Sequence, residues 1–243
     1  MASSAQDSLT PCVFLVRHGE TEWSKAGRQT GKSDIPLTPE GAAQIASTAK
    51  VLIGPGKLLD PSRLAHVFVS PRVRAKETFE LLFPPTLSSP STDSQWGRGE
   101  EGGSVTYTED LTEWDYGEYE GLTGGEVRRL RREKGLDDER EWDILRDGCE
   151  GGESLEQVME RIDRLITKIK DIQRPYIKGE KPANALLVSH GLFLRCFIAR
   201  WPSLPVEFYR KMMLAPGGVV VLSYRHTDID SPAFYAGLAP TAV

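Results

Sequence analysis

Cysteine is scarce in this chain, with only Cys12, Cys149 and Cys196 among 243 residues. An odd number at wide spacing supports no disulfide framework, no CxxC redox pair and no zinc cluster, so reduced thiols are expected. Long apolar runs are lacking too, and none approaches the roughly 20 residues of a membrane-spanning helix. Residues 1–10 have neither a basic start nor an apolar core, which argues against a secretion signal. Positive charge is not in excess: 30 Lys and Arg stand against 35 Asp and Glu, a formal net charge of -5. That balance supplies no general attraction for nucleic acid or for an anionic membrane. Any affinity for anions must be local. The expected location is the cytoplasm, with the nucleus also open, and the composition leaves a homo-oligomer open.

What is present is a hydrophobic content of 39%, enough to bury a substantial core, and one domain over residues 1–243 is the simplest expectation. Four short apolar runs rich in β-branched residues, at 12–16, 66–69, 185–188 and 219–222, read as buried strands. Helical patterns separate them. One helix is announced by Thr38 as cap with Pro39 behind it, and another by Ser70 and Pro71 in the same arrangement. A third begins at Ser154, paired with Gln157 in a capping box, and carries Val158, Ile162, Leu165 and Ile169 on one stripe. This alternation predicts an α/β fold with a mainly parallel sheet covered on both faces. Residues 84–104, dominated by Pro, Ser, Gly and Glu, read as a mobile surface loop. Residues 111–152, rich in charge and Trp, read as a lid-like insertion of short helices over one edge of the sheet. Within it Arg128, Arg129, Arg131 and Arg132 fit a solvated helix face, with contact to a distal phosphate as the alternative.

Three of the four apolar runs end in residues suited to phosphate: Arg17-His18-Gly19, Ser70-Pro71-Arg72-Val73-Arg74 and Ser189-His190-Gly191. In an open parallel sheet the carboxyl ends of the strands lie together and ligands bind there, so these pieces should converge. Gly19 and Gly191 let the backbone approach a ligand closely. Arg74, near a helix start, and Arg17 can each hold phosphate oxygens by bidentate, charge-assisted bonds. An imidazole nitrogen can accept a phosphoryl group and later surrender it to water, which makes His18 the candidate nucleophile. It must be neutral to attack, and neighbouring arginines disfavour the imidazolium. His190 is placed to donate a hydrogen bond to the transferring group. Glu113, in the run Leu111-Thr112-Glu113-Trp114-Asp115-Tyr116-Gly117, is the candidate proton donor, with Trp114 and Tyr116 expected to shelter it from water and favour its protonated form. A lone strand-end histidine is more often structural, as His66 is expected to be. Two His-Gly strand ends with an Arg-rich helix start reverse that balance.

The run Leu15-Val16-Arg17-His18-Gly19-Glu20-Thr21-Glu22-Trp23 resembles the signature of the histidine phosphatase superfamily, also called phosphoglycerate mutase-like, and the resemblance extends over about residues 12–225. It implies a three-layer α/β/α sandwich that needs no metal or other cofactor. It also implies that His18 carries the phosphoryl group, that Arg17, Arg74 and His190 surround it, and that Glu113 is the proton donor. Residues 24–31, 70–78, 113–121 and 142–149 are similar to the sedoheptulose-1,7-bisphosphatase branch. That similarity implies a substrate pocket lined by Gly19, Ser24, Gln29, Thr30, Gly31, Trp114, Tyr116, Arg195 and His226, with Arg195 and His226 on a second phosphate. The sequence departs from the branch in a shorter stretch between Arg195 and Val219 and in Leu192 where a polar residue would suit a phosphate pocket. The expected partner is a small phosphate ester, a sugar bisphosphate first and a monophosphate or non-sugar ester as the alternative. A mutase fits less well, since Trp114 follows Glu113 where a mutase would carry arginine. A binding protein without turnover fits less well still, since Arg17, His18, Arg74, Glu113 and His190 are all intact.

Overall fold

Along β1 (Val13–Arg17) successive side chains face opposite ways, so Phe14 and Val16 enter one apolar cluster while Val13 and Leu15 enter another. The computed structural model describes residues 10–84 and 104–236. β2 (Leu64–Val69) and β4 (Asn184–Ser189) divide their side chains in the same way, with Val67, Val69, Leu186 and Val188 on the side of Phe14. A sheet that is apolar on both faces needs two covering layers. α2 (Pro39–Leu52) and α3 (Val73–Leu82) cover one face, and α6 (Leu155–Gln173) and α7 (Gly191–Arg200) cover the other. The result is the three-layer α/β/α sandwich.

The strand order is β3-β2-β4-β1-β5-β6. β3 (Ser104–Tyr107), β2, β4 and β1 run parallel, whereas β5 (Val219–Tyr224) is antiparallel to β1 and β6 (Pro232–Phe234) is antiparallel to β5. The two edge strands carry no apolar run, which is why the sequence pattern misses them. The expected loop at 84–104 lies outside the described residues apart from its two ends, and Ser104 opens β3.

Helix starts follow local chemistry in two of three cases. Thr38 Oγ1 accepts from the N–H of Gly41 at 3.0 Å, with Pro39 in the first turn of α2. Ser154 and Gln157 form the reciprocal capping box of α6. Ser70 does not cap α3. That helix starts three residues later, and Asp34 accepts from the N–H of Val73 at 2.6 Å, so a carboxylate from a distant loop supplies the cap.

The segment from 111 to 152 contains α4 (Gly124–Glu133) and α5 (Ile144–Asp147), and α1 (Glu22–Lys25) follows β1. Trp114, Tyr116, Tyr119, Val127 and Leu145 from this segment are buried in the same cluster as α6 and α7, so it forms part of the core on that face. Arg131 is buried there, donating to Asp137 at 2.7 Å and to the Tyr119 hydroxyl at 2.6 Å, while Arg128, Arg129 and Arg132 are exposed. Among the described residues no helix is long and apolar enough to cross a membrane.

Candidate active site

Three adjacent strands in the order β2, β4, β1 end together. The N–H of His18 donates to Ser189 O at 2.9 Å, and the N–H of Ser70 donates to Val188 O at 3.0 Å. His18 and His190 therefore meet, with ring centroids 5.1 Å apart in an edge-on arrangement. His18 Nδ1 lies 2.7 Å from the carbonyl oxygen of Gly19. A carbonyl only accepts, so Nδ1 carries the proton and Nε2 keeps a lone pair. Burial drives the His18 pKa down to about 3, helped by the charges of Arg74 and Arg17, and the ring is neutral at physiological pH. Burial also holds His190 well below its ordinary value, with Arg74 adding to the effect.

Arg74 is fully buried, and its donors are largely committed. Nε–H donates to His190 Nδ1 at 3.1 Å, Nη1 to Ser33 O at 2.7 Å, and Nη2 to Thr30 O and Gly31 O, both at 3.1 Å. Of its five N–H groups this leaves one, on Nη1, so the expected bidentate grip on phosphate does not fall to Arg74. Arg17 is the better fork. Its Nη1 donates to Leu214 O at 2.6 Å, while its Nε is buried with no hydrogen-bond partner among the described residues. Burial lowers the pKa of both guanidinium groups, and the charge of Glu113 opposes that effect most strongly in each.

Glu113 sits at the amino end of α7, where free backbone N–H groups point outward. Its carboxyl oxygens accept from Leu192 N at 2.9 Å, Phe193 N at 2.8 Å and Trp114 N at 3.0 Å. Of the two rings expected beside it, Tyr116 stays close: burial raises the Tyr116 pKa well above its ordinary value, and the charge of Glu113 adds to the effect. Trp114 is fully buried in the core with its indole N–H on Glu153 O at 2.9 Å, and Tyr116 is 5% exposed in the same cluster. Two groups outside the expected set hold the Glu113 run in place: Arg161 Nη1 donates to Asp110 O and Thr112 O, both at 3.0 Å, and Ser189 Oγ donates to Leu111 O at 2.6 Å.

The remaining expected pocket residues separate into groups. Gln29, Thr30 and Gly31 lie on the loop that clamps Arg74. Ser24 spends its hydroxyl on the cap of α1, accepting from Thr21 N at 2.9 Å and donating to Thr21 O at 3.0 Å. Gly19 serves packing against α2, since a Cβ there would lie 2.9 Å from Ile45 Cγ1. Arg195 lies over the Tyr209 ring at 5.2 Å, donates to Gly191 O at 3.1 Å, and adds its charge to the field at Arg17. His226 is not at the site. β5 runs antiparallel to β1, with Val16 opposite Val219 and Val13 opposite Leu222, so the residues after Tyr224 lie at the far end of the sheet, roughly 20 Å from Arg17 along the strands.

Sequence reading missed the role of Ser70, whose hydroxyl lies 2.7 Å from His190 Nε2, although it stood in the strand-end motif. It also missed Thr78, which accepts from the N–H of Gly19 at 3.1 Å and donates to Arg74 O at 2.7 Å. Among the described residues no group of three or more His, Cys, Asp or Glu is placed to hold a metal ion.

A family model for the histidine phosphatase superfamily (branch 1) matches residues 13–233. The sedoheptulose 1,7-bisphosphatase of Saccharomyces cerevisiae is 36% identical over 258 aligned positions, covering 93% of this chain and 92% of that protein. An acid phosphatase of Mycobacterium tuberculosis is 32% identical, covering 88% of this chain and 87% of its own. Among solved structures, the product of an open reading frame from Mycobacterium tuberculosis matches with a TM-score of 0.68 at 28% identity, over 93% of this chain and 96% of that one. An alpha-ribazole phosphatase from Shigella flexneri shares the fold, with a TM-score of 0.68 at 22% identity over 92% of this chain and 94% of that one.

Proposed function

The chain belongs to the histidine phosphatase superfamily and is a phosphatase; we propose that it hydrolyses a cytoplasmic sugar bisphosphate, such as sedoheptulose 1,7-bisphosphate, through a phosphohistidine on His18. The observation that carries the mechanism is the neutral His18 ring, with Nδ1–H tied to Gly19 O and the Nε2 lone pair left for attack.

In the first half-reaction Nε2 attacks phosphorus, the P–N bond forms and the ester P–O bond breaks. Glu113 gives its proton to the departing alkoxide. In the second half-reaction Glu113 takes a proton from water, the water oxygen bonds to phosphorus and the P–N bond breaks, releasing phosphate and returning the His18 lone pair. The free edge of Arg17 holds the equatorial oxygens throughout. Of the two cations expected on the second phosphate, His226 lies at the far end of the sheet, and Arg195 is the one whose charge reaches Arg17.

The bisphosphate reading draws on the 36% identity to a protein named for that substrate. Phosphate release is measured, with a chelator present, from sugar bisphosphates, sugar monophosphates, phosphoglycerates and a phosphopeptide. Preference for sedoheptulose 1,7-bisphosphate is expected. Preference for a monophosphate or a non-sugar ester would retain the His18 chemistry and reject the bisphosphate.

A further inference from the structure

The Glu120 carboxylate accepts from the loop that clamps Arg74. Its Oε1 and Oε2 accept from the N–H of Gly31 at 3.0 and 2.9 Å, and Oε1 also accepts from the N–H of Ser33 at 2.9 Å. The carbonyls of those same two residues, with that of Thr30, are the acceptors that grip the Arg74 guanidinium. Gly31 and Ser33 therefore face a carboxylate through their N–H groups and a guanidinium through their carbonyls. Gly31 is held so closely that a Cβ would lie 2.5 Å from Trp114 O and 2.9 Å from Glu120 Oε2. The chain beside Glu120 is itself fixed to the loop, since Gly121 N donates to Gln29 O and Gln29 N donates to Leu122 O, both at 2.8 Å.

We propose that Glu120 is a positioning residue that orients the Arg74 guanidinium through the backbone of Gly31 and Ser33, and through Arg74 sets the tautomer of His190. It touches no reacting atom. The proposal rests on the phosphatase reading of the His18 site. A carboxylate suits the task better than an amide, because the carboxyl oxygens only accept, whereas a glutamine would turn two donors of its own toward the same N–H groups. The charge also matters: burial lowers the pKa of Arg74, and Glu120 joins Glu113 and Asp34 in supporting its charged form.

A double-mutant cycle tests this, with Glu120→Ala, Arg74→Ala and the pair assayed on an aryl phosphate, which does not depend on the sugar specificity. If Glu120 acts through Arg74, Glu120→Ala lowers kcat/KM by roughly 10- to 100-fold in the wild-type background, the range that losing a charge-assisted hydrogen bond implies. In the Arg74→Ala background it costs less than about threefold. Equal losses in both backgrounds, or no loss in the first, would overturn the proposal. If Glu120→Ala does not fold, Glu120→Gln replaces it in the same cycle. The ¹⁵N spectrum of His190 provides a readout that mere destabilisation does not move. The wild-type ring carries its proton on Nε2, and a folded Glu120 variant is expected to mix the two tautomers. An unchanged tautomer would also overturn the proposal. A wild-type enzyme inert on every ester would count against the phosphatase reading, and the cycle would then be read on the affinity for inorganic phosphate.

Discussion

The Nε–H of Arg74 donates to Nδ1 of His190 at 3.1 Å, and this bond decides which proton His190 can offer. A guanidinium only donates, so Nδ1 must accept and the proton of the neutral ring sits on Nε2, directed at the Ser70 hydroxyl 2.7 Å away. His18 has the opposite tautomer, because Gly19 O claims its Nδ1–H. Two histidines at neighbouring strand ends are thus set to different tasks, His18 with a free lone pair at Nε2 and His190 with a proton there.

Histidine ¹⁵N spectra should show these opposite tautomers, with neither ring gaining a proton between about pH 5 and 8, since burial and the flanking arginines hold His18 at about 3 and His190 well below its ordinary value. A common tautomer, or a His18 midpoint near the ordinary histidine value, would contradict the geometry.

The same burial links stability to pH. Between the ordinary histidine value of about 6.5 and about 3, an unfolded chain binds a proton at His18 that the folded chain refuses, so stability rises with pH across this window. The contribution is fully present above about pH 6.5 and is lost as pH falls toward the folded value. For His18 alone the loss is on the order of 3 kcal/mol at pH 4. Denaturant unfolding of the wild type and of His18→Gln at pH 7, 5.5 and 4 should show a shallower decline for the variant. Parallel declines would mean that His18 is not buried as the neutral form.

What could be read beforehand was what neighbours in sequence determine. Ser154 and Gln157 cap one another three residues apart, and the His-Gly pairs announce two strand ends. What escaped depends on distant chain. Ser70 looked like a cap, yet Asp34 caps α3 and Ser70 turns to His190. His226 follows an apolar strand just as His18 does, but β5 runs the other way and carries it to the opposite end of the sheet. Trp114 beside an acid looked like a pocket wall, whereas the core claims its ring and Glu153 O takes its indole N–H. Arg17 and Arg74 looked equivalent. Only the carbonyls around Arg74, supplied by the loop from Thr30 to Ser33, show which of them retains a free edge.

That asymmetry makes Arg17→Lys informative. Lysine keeps the charge but loses the planar fork, and the unpartnered Nε–H of Arg17 is the donor it cannot replace. Competitive inhibition by inorganic phosphate should weaken by roughly 10- to 100-fold, the range that losing a charge-assisted hydrogen bond implies. Unchanged inhibition would show that phosphate is held elsewhere.

The placement of His226 yields a paired prediction. His226→Ala should leave KM for a sugar bisphosphate within about twofold, because surface changes remote from a site have small effects. Arg195→Ala should raise KM for the bisphosphate more than for the matching monophosphate, since Arg195 is the cation proposed for the second phosphate. A large effect of His226→Ala would place that residue against substrate after all.

The proton-donor role of Glu113 is best tested by comparing leaving groups within one variant. Glu113→Gln disturbs more than a proton, because both carboxyl oxygens accept from backbone N–H groups of Leu192, Phe193 and Trp114, and an amide nitrogen facing any of these would be mismatched. A general slowing would therefore prove little. An aryl phosphate expels a stable phenolate that needs no proton, whereas a sugar phosphate expels an alkoxide that does. Disturbed geometry slows both alike, so the ratio of the two losses isolates proton transfer. If Glu113 is the acid, kcat/KM for the sugar phosphate should fall about 10²-fold or more beyond the fall for the aryl phosphate, as general acid catalysis of this kind contributes. Equal losses would leave Glu113 as an anchor for the amino end of α7 and require another donor for the alkoxide.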